Sequence, residues 1–442
     1  MTIRMDEGAA ELLDTLHRAG YAAYVVGGCV RDSLLGLTPH DWDLCTSALP
    51  QQGMELFGEE KCIPTGLQHG TVTVKQGGGL YEITTFRTEG TYTDGRHPDE
   101  VHFVPDVRED LARRDFTINA MAYNAKEGLV DPFGGQADLQ SGILRAVGVP
   151  HQRFTEDALR ILRLYRFAAR FGFAIDPPTA QAAQELCAHL DCVSVERIEE
   201  ELAKLLSAPA PAAYLNEKIL GVVLPELSPE ALAAAKPVVD ACPAGERALP
   251  VRLAALLLSL GEDGTRRTLR RLRCSNACIE ETAVLVREAV PGVPGAFSSD
   301  TNRAIPSPAL LPAATGSHPS GRSSEKLPAR PPVSLNIYTR KLLGQYGLKT
   351  VQRLAALGTA LQSERSADFA ALSELAEQLD ADGVCCRVSQ LAVNGRDLMA
   401  AGVPAGPGIR KMLEALLDGV IREEYPNERQ ALLAAVQQLA AS

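Results

Sequence analysis

The chain has 442 residues, 45% of them hydrophobic and 22% charged, which is typical of a globular protein with sizeable cores. This length is too great for one ordinary domain and suggests roughly two to four. The formal net charge of −11 argues against a protein that coats nucleic acid over its whole surface, although it is compatible with a local basic track.

Cysteine usage and the N-terminus indicate the compartment. The ten cysteines are irregularly spaced and include no CxxC pair, which argues against a disulfide framework and a zinc site. We therefore expect reduced thiols in a cytoplasmic protein. Residues 1–20 combine acidic side chains with helical spacing, unlike a signal peptide or a membrane anchor. No segment approaches the roughly 20 apolar residues of a membrane span, and the sequence implies neither a membrane nor a protein partner.

Strand patterns and helix patterns occupy different parts of the chain. After one opening helix, β-rich runs such as YAAYVVGG and LYEITTF alternate with turns between residues 21 and 147. From about residue 151 helical periodicity dominates, most clearly at 156–173 and 194–207. We therefore predict an α/β head, with a mixed sheet and helices, followed by an all-helical neck, body and tail.

This change of pattern and one interruption predict the domain boundaries. We expect the head at 1–147, a helical neck at 148–207 and a helical body at 208–290. Residues 291–333 are dense in Pro, Ser and Gly and lack periodicity, which predicts a surface loop or disordered linker. Helical patterning resumes afterwards and predicts a further helical body and tail at 334–442.

The most informative stretch is VVGGCVRDSLLGLTPHDWDL, which we interpret as strand, glycine turn, helix, loop and second strand. Asp41 and Asp43 on the second strand would share one face, opposite Trp42, because side chains alternate along a strand. Two carboxylates held together need a cation between them, and hard oxygen ligands favour Mg²⁺, which bridges carboxylates to substrate phosphates. This arrangement is typical of metal-assisted phosphoryl or nucleotidyl transfer.

The residues around these carboxylates strengthen that interpretation. Gly27 and Gly28 end the preceding strand and let backbone N–H groups approach an anion, and Arg31 lies near the start of the next helix. Glu82, inside the run LYEITTF, is a candidate third carboxylate of the catalytic site. A charged residue in such a run equally fits a plain exposed position on a strand.

Several motifs, taken in order, resemble those of the polymerase-beta nucleotidyltransferase superfamily. Within it they are similar to class II CCA-adding enzymes and bacterial poly(A) polymerases. The opening motif combines GGCVRD with DWD, and the tail at 394–417 is similar to the C-terminal region of bacterial members. The motifs between them are RRDFTINAM at 113–121, DPFGG at 131–135, RF-x-ED-x-x-R at 153–160 and SVERI at 194–198.

The resemblance implies a role for individual residues and a set of partners. Asp41 and Asp43 would hold Mg²⁺. The partner would be tRNA, bound by the helical region at 334–442, and the substrates would be CTP and ATP. The residues implied to bind the incoming nucleotide are Gly28, Arg31, Arg114, Asp157, Arg160, Arg163 and Arg166.

Helical geometry supports part of this nucleotide pocket independently. At about 100° per residue, the arginines at 160, 163, 166 and 170 fall within an arc of roughly 120°. Such an arc is either a basic face for an anion or a stripe that pairs with acidic side chains. Asp157 only accepts hydrogen bonds and Arg160 only donates them. Cytosine and adenine present an amino donor beside a ring-nitrogen acceptor, so the two side chains would accept C and A and reject G and U.

The polar segment RTEGTYTDGRHPDE at 87–100 has a further implied role. The resemblance suggests that it helps to switch specificity from C to A, and that enzymes adding only CC lack a full segment. Arg87, Asp94 and Arg96 are all present, which favours addition of the complete CCA sequence.

Other functions fit the sequence less well. His40-Asp41 spells the HD motif of metal-dependent phosphohydrolases, but no second HD pair follows. Poly(A) polymerases and enzymes that add only CC or only A share the same chemistry. A catalytically silent RNA-binding protein is the alternative from another class, and the intact Asp41 and Asp43 argue against it. We therefore expect template-independent, Mg²⁺-dependent addition of C, C and A to the 3′ end of tRNA, with release of pyrophosphate.

Overall fold

A computed structural model describes residues 2–90, 101–289, 335–361 and 366–441. The chain forms two compact units, Met1–Glu280 and Glu281–Ser442. The predicted linker at 291–333 lies outside the described residues, as do Asp94 and Arg96.

Every strand found in the described ranges belongs to the first unit. Seven of them form one mixed sheet in the order β3-β4-β5-β2-β1-β8-β9, in which β2 and β5 are parallel and the other neighbours are antiparallel. The strands are β1 (Ala23–Val26), β2 (Leu44–Thr46), β3 (Cys62–Gly66), β4 (Thr71–Gln76), β5 (Gly79–Thr85), β6 (Arg87–Glu89), β7 (Val101–Phe103), β8 (Ala122–Asn124), β9 (Gly128–Val130), β10 (Ile143–Leu144) and β11 (Ala174–Ile175).

Helices surround this sheet and form the remainder of the first unit. They are α1 (Glu7–Arg18), α2 (Gly28–Leu34), α3 (Pro50–Phe57), α4 (Val107–Ala112), α5 (Gly135–Ser141), α6 (Pro150–Glu156), α7 (Leu159–Phe171), α8 (Pro177–Glu185), α9 (Val195–Leu206), α10 (Glu217–Val223), α11 (Pro229–Ala241), α12 (Leu249–Leu257) and α13 (Gly261–Arg271). Helix α14 (Asn276–Ala289) crosses the boundary between the two units.

The described part of the second unit is helical. Buried residues such as Leu398, Leu416 and Leu432 form an apolar core there. Its helices are α15 (Leu335–Tyr346), α16 (Leu348–Ala360), α17 (Ser366–Ala381), α18 (Gly395–Ala400), α19 (Pro407–Ile421) and α20 (Arg429–Ala441). The predicted architecture, a mixed-sheet head followed by helices, is confirmed.

The core of the sheet lies around its middle strands. All four residues of β1 are buried, because β2 and β8 flank the strand and helices cover the sheet. Helix α1 begins at the N-cap Asp6, whose carboxylate accepts the Gly8 and Ala9 N–H groups, and it buries Leu12 and Leu16.

Two further expectations concern cysteines and membranes. All ten cysteines are free thiols, and Cys29, Cys45 and Cys62 are buried among apolar residues. Among the described helices, none combines the length and the apolar character that crossing a bilayer would take.

Candidate active site

The glycine turn after β1 leads directly into α2. Gly27 has a φ of +76°, a backbone conformation that favours glycine. Its N–H donates to the Met121 carbonyl at 3.0 Å, and its carbonyl accepts the Arg31 N–H at 3.1 Å. A side chain at position 27 would lie 2.8 Å from Arg114 Nη1. The backbone conformation of the turn therefore favours glycine, and the Arg114 guanidinium lies close to it, next to Gly28 at the start of α2.

Asp41 and Asp43 precede β2. The prediction that they lie on the second strand is wrong, because β2 starts at Leu44, where its pairing with both neighbouring strands begins. The Val26 N–H still donates to the Asp43 carbonyl at 2.9 Å, so the extended backbone continues. The predicted alternation is confirmed, since Asp41 and Asp43 are exposed while Trp42 is buried.

Glu82 lies on β5, beside Asp43. The parallel register pairs Leu44 with Ile83. Asp43 and Glu82 each come one residue earlier in the chain, so they lie side by side. Both are exposed whereas Leu44 and Ile83 are buried, so the two carboxylates occupy the same side of the sheet. Desolvation raises the pKa of Asp43, the charges of Glu82 and Asp41 raise it further, and the Arg114 charge acts in the opposite direction. Three carboxylates and one guanidinium therefore share this site.

The donors at this site suit a hard divalent cation. Within the residues that the structure covers, no three or more His, Cys, Asp and Glu side chains are gathered as a complete metal site. Mg²⁺ is usually bound by one or two carboxylates and completes its shell with water and substrate phosphates. Asp41 and Asp43 match that requirement, and the Arg114 guanidinium beside Gly27 is a cationic group available to a phosphate.

Arg31 is buried beneath the glycine turn. Its Nε donates to Asp32 Oδ1 at 2.8 Å and its Nη1 donates to Asn119 Oδ1 at 2.6 Å. Its guanidinium carbon lies 5.2 Å and 4.9 Å from the ring centroids of Phe167 and Phe171 on α7. Burial lowers the pKa of Arg31, and the nearby Asp32 opposes this shift. Arg31 thus joins α2 to α7.

Asp157 lies between α6 and α7. The helix predicted at 156–173 is wrong at its start, because α6 ends at Glu156 and α7 begins at Leu159. Asp157 Oδ1 accepts the Leu159 N–H at 3.1 Å, the kind of local bond by which aspartate interrupts a helix. The other oxygen, Oδ2, accepts from Arg197 Nη2 on α9 at 2.9 Å. Asp157 is thereby fixed from two sides.

Arg160 contacts partners other than Asp157. Its Nη1 donates to Glu156 Oε2 at 2.8 Å and to the Arg153 carbonyl at 3.2 Å, and its Nη2 donates to the Arg113 carbonyl at 3.0 Å. These bonds tie α7 to α6 and to the end of α4. Asp157 therefore pairs with Arg197, and Glu156 pairs with both Arg153 and Arg160.

The four arginines on one face of α7 each contact a carboxylate. Their side-chain exposure separates them into two kinds: Arg160 and Arg166 are 11% and 10% exposed, whereas Arg163 and Arg170 are 33% and 44% exposed. The closest ion pairs are Arg160 with Glu156 at 2.8 Å, Arg163 with Asp115 at 2.7 Å, Arg166 with Glu201 at 2.5 Å and Arg170 with Asp32 at 3.4 Å.

Asp115 and Asn119 connect α7 to α2, a role that the sequence pattern did not predict. Asp115 Oδ2 accepts from Arg163 Nη2 at 2.7 Å, and its Oδ1 accepts from Asn119 Nδ2 at 3.0 Å. Burial raises the pKa of Asp115, but the Arg163 charge and these hydrogen bonds outweigh it and lower the pKa to about 2. The available signal was a carboxylate next to Phe116 in the motif RRDFTINAM, because a carboxylate is buried only with a partner.

The candidate residues thus form two groups in the first unit. One comprises Asp41, Asp43, Glu82 and Arg114 at the glycine turn. The other surrounds Phe167, whose ring centroid lies 5.2 Å, 5.3 Å and 3.8 Å from the guanidinium carbons of Arg31, Arg163 and Arg166. The charge of Asp157 acts on Arg163, which places the turn between α6 and α7 beside the second group.

The polar segment at 87–100 is described only in part. Arg87 starts β6, where its N–H donates to Asp110 Oδ1 at 3.3 Å and its guanidinium donates to the His69 carbonyl. Asp94 and Arg96 lie outside the described residues.

Family models match three parts of the chain. A model described as the poly A polymerase head domain matches residues 23–145. One of an RNA and SrmB binding site of polymerase A matches 172–230, and one described as tRNA nucleotidyltransferase domain 2 matches 336–436.

Solved structures share the fold. The chain has a TM-score of 0.77 and 30% identity to the crystal structure of Bacillus stearothermophilus CCA-adding enzyme in complex with CTP, covering 99% of this chain and 98% of that one. Against Thermotoga maritima CCA-adding enzyme complexed with tRNA, the TM-score is 0.64 at 20% identity, with 98% and 94% covered.

Curated relatives match along nearly the whole chain. It is 35% identical over 438 residues to the CCA-adding enzyme of Lactiplantibacillus plantarum, covering 97% of this chain and 95% of that protein. It is 34% identical over 438 residues to the CCA-adding enzyme of Geobacillus stearothermophilus, covering 96% and 95%. Because this identity extends through the catalytic head and the helical regions alike, the chain belongs to the family of CCA-adding enzymes.

Proposed function

We propose that this chain adds C, C and A in turn to the 3′ end of tRNA, using CTP and ATP and no nucleic-acid template. The observation that carries the proposal is the cluster of Asp41, Asp43 and Glu82 beside the Gly27 turn and Arg114, in a chain that matches CCA-adding enzymes over its length. The head at 1–147 would perform the chemistry and the neck at 148–207 would select the nucleotide. The helical regions at 208–290 and 334–442 would bind tRNA.

Nucleotidyl transfer requires a metal that the carboxylates can hold. Asp41 and Asp43 would bind Mg²⁺, with Glu82 beside them. When bound, the ion lowers the pKa of the primer 3′-hydroxyl and neutralises charge on the α-phosphate. The 3′ oxygen forms a bond to the α-phosphorus as the bond to the pyrophosphate oxygen breaks, and the hydroxyl proton passes to water. Gly28 and Arg114 orient the triphosphate during this step.

Asp157 and Arg160 would select the base. Asp157 accepts a hydrogen bond from the amino group of cytosine or adenine, and Arg160 donates to the adjacent ring nitrogen. Support comes from their fixed positions, since Asp157 is held by Arg197 and the Leu159 N–H, and Arg160 by Glu156 and two carbonyls. Arg31, Arg163 and Arg166 would complete the nucleotide-binding set. Arg163, whose side chain is 33% exposed, would reach the triphosphate, whereas Arg31 and Arg166 are buried.

Substituting Asp157 tests this account of base selection. Asp157→Asn replaces one acceptor with a donor, so we expect the preference for C and A over U and G to fall at least about tenfold. Competition between labelled CTP and UTP measures the preference. Asp191→Asn, at an exposed position before α9, is the matched control. An unchanged preference in the Asp157 variant contradicts the assignment.

The overall reaction is tested by extension of a defined RNA. Purified protein is incubated with Mg²⁺, tRNA lacking its last three nucleotides, and each NTP singly or in combination. We expect growth by three nucleotides with CTP plus ATP, followed by a stop. A stop after two C residues identifies a CC-adding enzyme, and extension by A alone on tRNA ending in CC identifies an A-adding enzyme. No extension identifies an RNA-binding protein without catalysis.

A poly(A) polymerase is the second candidate. The match of residues 23–145 to the model of the poly A polymerase head domain favours it. The same assay separates the two, because a poly(A) polymerase produces a long ladder with ATP alone.

We place the reaction in the cytoplasm. The ten free cysteines, several of them buried as thiols, suit a reducing compartment.

A further inference from the structure

Phe103 is an exposed aromatic ring at the end of β7. Its side chain is 42% exposed, and the other large exposed hydrophobic residues in the described ranges are aliphatic (Leu, Val or Met). Within the described residues strand β7 pairs with β6 alone, in a two-stranded sheet whose register places Phe103 opposite Arg87. The ring therefore lies on a two-stranded sheet separate from the main sheet, with a cationic residue as its cross-strand neighbour.

One edge of this ring rests on the main sheet. A side chain at Gly70 would lie 2.7 Å from Phe103 Cε1 and 3.4 Å from its Cζ. Gly70 has a φ of +80°, and its carbonyl accepts the Thr85 N–H at 2.8 Å, so it belongs to the pairing between the start of β4 and the end of β5. The left-handed backbone at position 70 favours glycine, and a side chain there would displace the Phe103 ring.

The strand register places Phe103 close to the catalytic carboxylates. Thr71, next to Gly70, pairs with Thr84, and their hydroxyl oxygens are 2.9 Å apart. Glu82 is two residues before Thr84 on β5, a separation of about 7 Å along a strand. Phe103 therefore contacts the β4–β5 strand pair that carries Glu82, beside the residue that pairs with Thr84.

The sheet order also separates Phe103 from the triphosphate side of the site. Strand β2, which follows Asp43, lies between β1 and β5. Gly27 and Arg114 are on the β1 side, whereas Gly70 and Phe103 are on the β5 and β4 side. In nucleotidyl transfer the attacking and leaving oxygens lie roughly in line. With the triphosphate at Gly28 and Arg114, as proposed above, an RNA primer would approach from the opposite side of the carboxylates, which is the side of Phe103.

We propose that the Phe103 ring is the stacking platform for the base at the 3′ end of the RNA primer. This inference rests on the proposed function, since it assumes that an RNA end is the acceptor. The end of such a primer is single-stranded, and bases of single strands stack on aromatic side chains regardless of their identity. That tolerance suits an acceptor whose terminal base changes after each addition. Arg87, opposite the ring, supplies positive charge beside the RNA backbone.

The proposal is tested by removing the Phe103 ring and the 3′-terminal base of the RNA, each alone and both together. Affinity is measured by filter binding without NTPs, for tRNA lacking its last three nucleotides and for the same RNA without its 3′-terminal base. We expect Phe103→Ala to weaken binding of the intact RNA about tenfold and of the abasic RNA less than about twofold. Phe103→Trp should bind like the wild type, and Phe103→Leu should bind like the alanine variant.

The controls separate stacking from folding and from the overall reaction. Phe103→Leu keeps an apolar contact with Gly70, and Leu80→Ala, at a 66% exposed position on β5, should leave both affinities unchanged. Equal losses on intact and abasic RNA, or wild-type affinity in Phe103→Leu, overturn the stacking role. Binding is measured without extension, so a failure of the proposed function can be told apart from a failure of the stacking role. In the former case the wild-type protein binds the intact RNA but does not extend it.

Discussion

Asp43 and Asp115 are aspartates of the same unit whose neighbours shift their pKa in opposite directions. Desolvation and the charge of Glu82 raise the pKa of Asp43, whereas Arg163 and Asn119 lower that of Asp115 to about 2 in spite of burial. Asp43 lies in an excess of negative charge, and Asp115 is neutralised by the protein itself. The first arrangement favours an incoming cation, and the second stabilises the fold.

Removal of one carboxylate from the first arrangement should stop the reaction. For Asp43→Asn we expect nucleotide addition to fall by at least about 100-fold, because a charged ligand at the developing transition state is lost. Single-turnover extension of tRNA measures the rate. Asp263→Asn, at an exposed position on α13, is the matched control. Full activity of the Asp43 variant would show that this carboxylate holds no essential ion.

Asp115 should make stability depend on pH in acid. Its pKa in the folded protein, about 2, is below the ordinary value of 3.8. The stabilisation is therefore present above pH 3.8 and is lost as the pH falls towards 2. It amounts to about 2 kcal/mol. We expect Asp115→Asn to be less stable than the wild type near neutral pH, with a difference that shrinks in acid. Urea unfolding at several pH values measures this, and a constant difference contradicts the linkage.

Helices α7 and α9 together support the proposed nucleotide site. Glu201 on α9 contacts both Arg163 and Arg166 on α7, and Arg197 on α9 holds Asp157. The position of α9 therefore decides where these groups lie. Its C-terminal end is fixed by Arg252 on α12, a fully buried guanidinium that donates to the carbonyls of Leu206, Ala208, Pro209 and Cys242.

Arg252 should be important for stability because four carbonyls depend on it, three of them through buried hydrogen bonds. We expect Arg252→Met to lower the free energy of unfolding by about 3 kcal/mol, since it leaves these acceptors without a donor. Urea denaturation followed by circular dichroism measures the change. Arg267→Met, at an exposed position on α13, should change stability by less than about 0.5 kcal/mol. Equal stability of the two variants would mean that water replaces the guanidinium.

Helix patterns in the sequence predicted α9 well and α7 less well. The predicted helix at 194–207 agrees with Val195–Leu206, because its apolar residues recur on one buried face. The start of the helix predicted at 156–173 was wrong, because the side chain of Asp157 bonds to the Leu159 N–H and ends the preceding helix. Periodicity cannot detect such a break when the apolar spacing continues on both sides of it.

The whole molecule carries a net charge of −11, yet the proposed substrate is a polyanion. Binding of tRNA must therefore depend on local groups of arginine and lysine rather than on the overall field. Several arginines of the first unit are engaged with carboxylates, so the cations that meet RNA phosphates are fewer than the sequence suggests.

Salt should weaken tRNA binding measurably. We expect the affinity to fall at least about tenfold between roughly 50 and 200 mM salt, because each phosphate contact releases a bound counterion. Filter binding at several salt concentrations gives the slope. A control series tests for solvent effects. In it the NaCl concentration is lowered and glycerol is added so that the viscosity stays constant. A flat dependence would contradict recognition through phosphates.

The sequence by itself determined the class of chemistry and the mixed-sheet head. These depend on local features, namely side-chain alternation at Asp41 and Asp43, the glycine pair, and helical or strand periodicity. Only the tertiary structure decided the partners of the charged residues. Asp157 pairs with Arg197, 40 residues away, and Asp115 with Arg163, 48 residues away. No local pattern encodes such distances, because the pairs form only when separate helices and strands pack together.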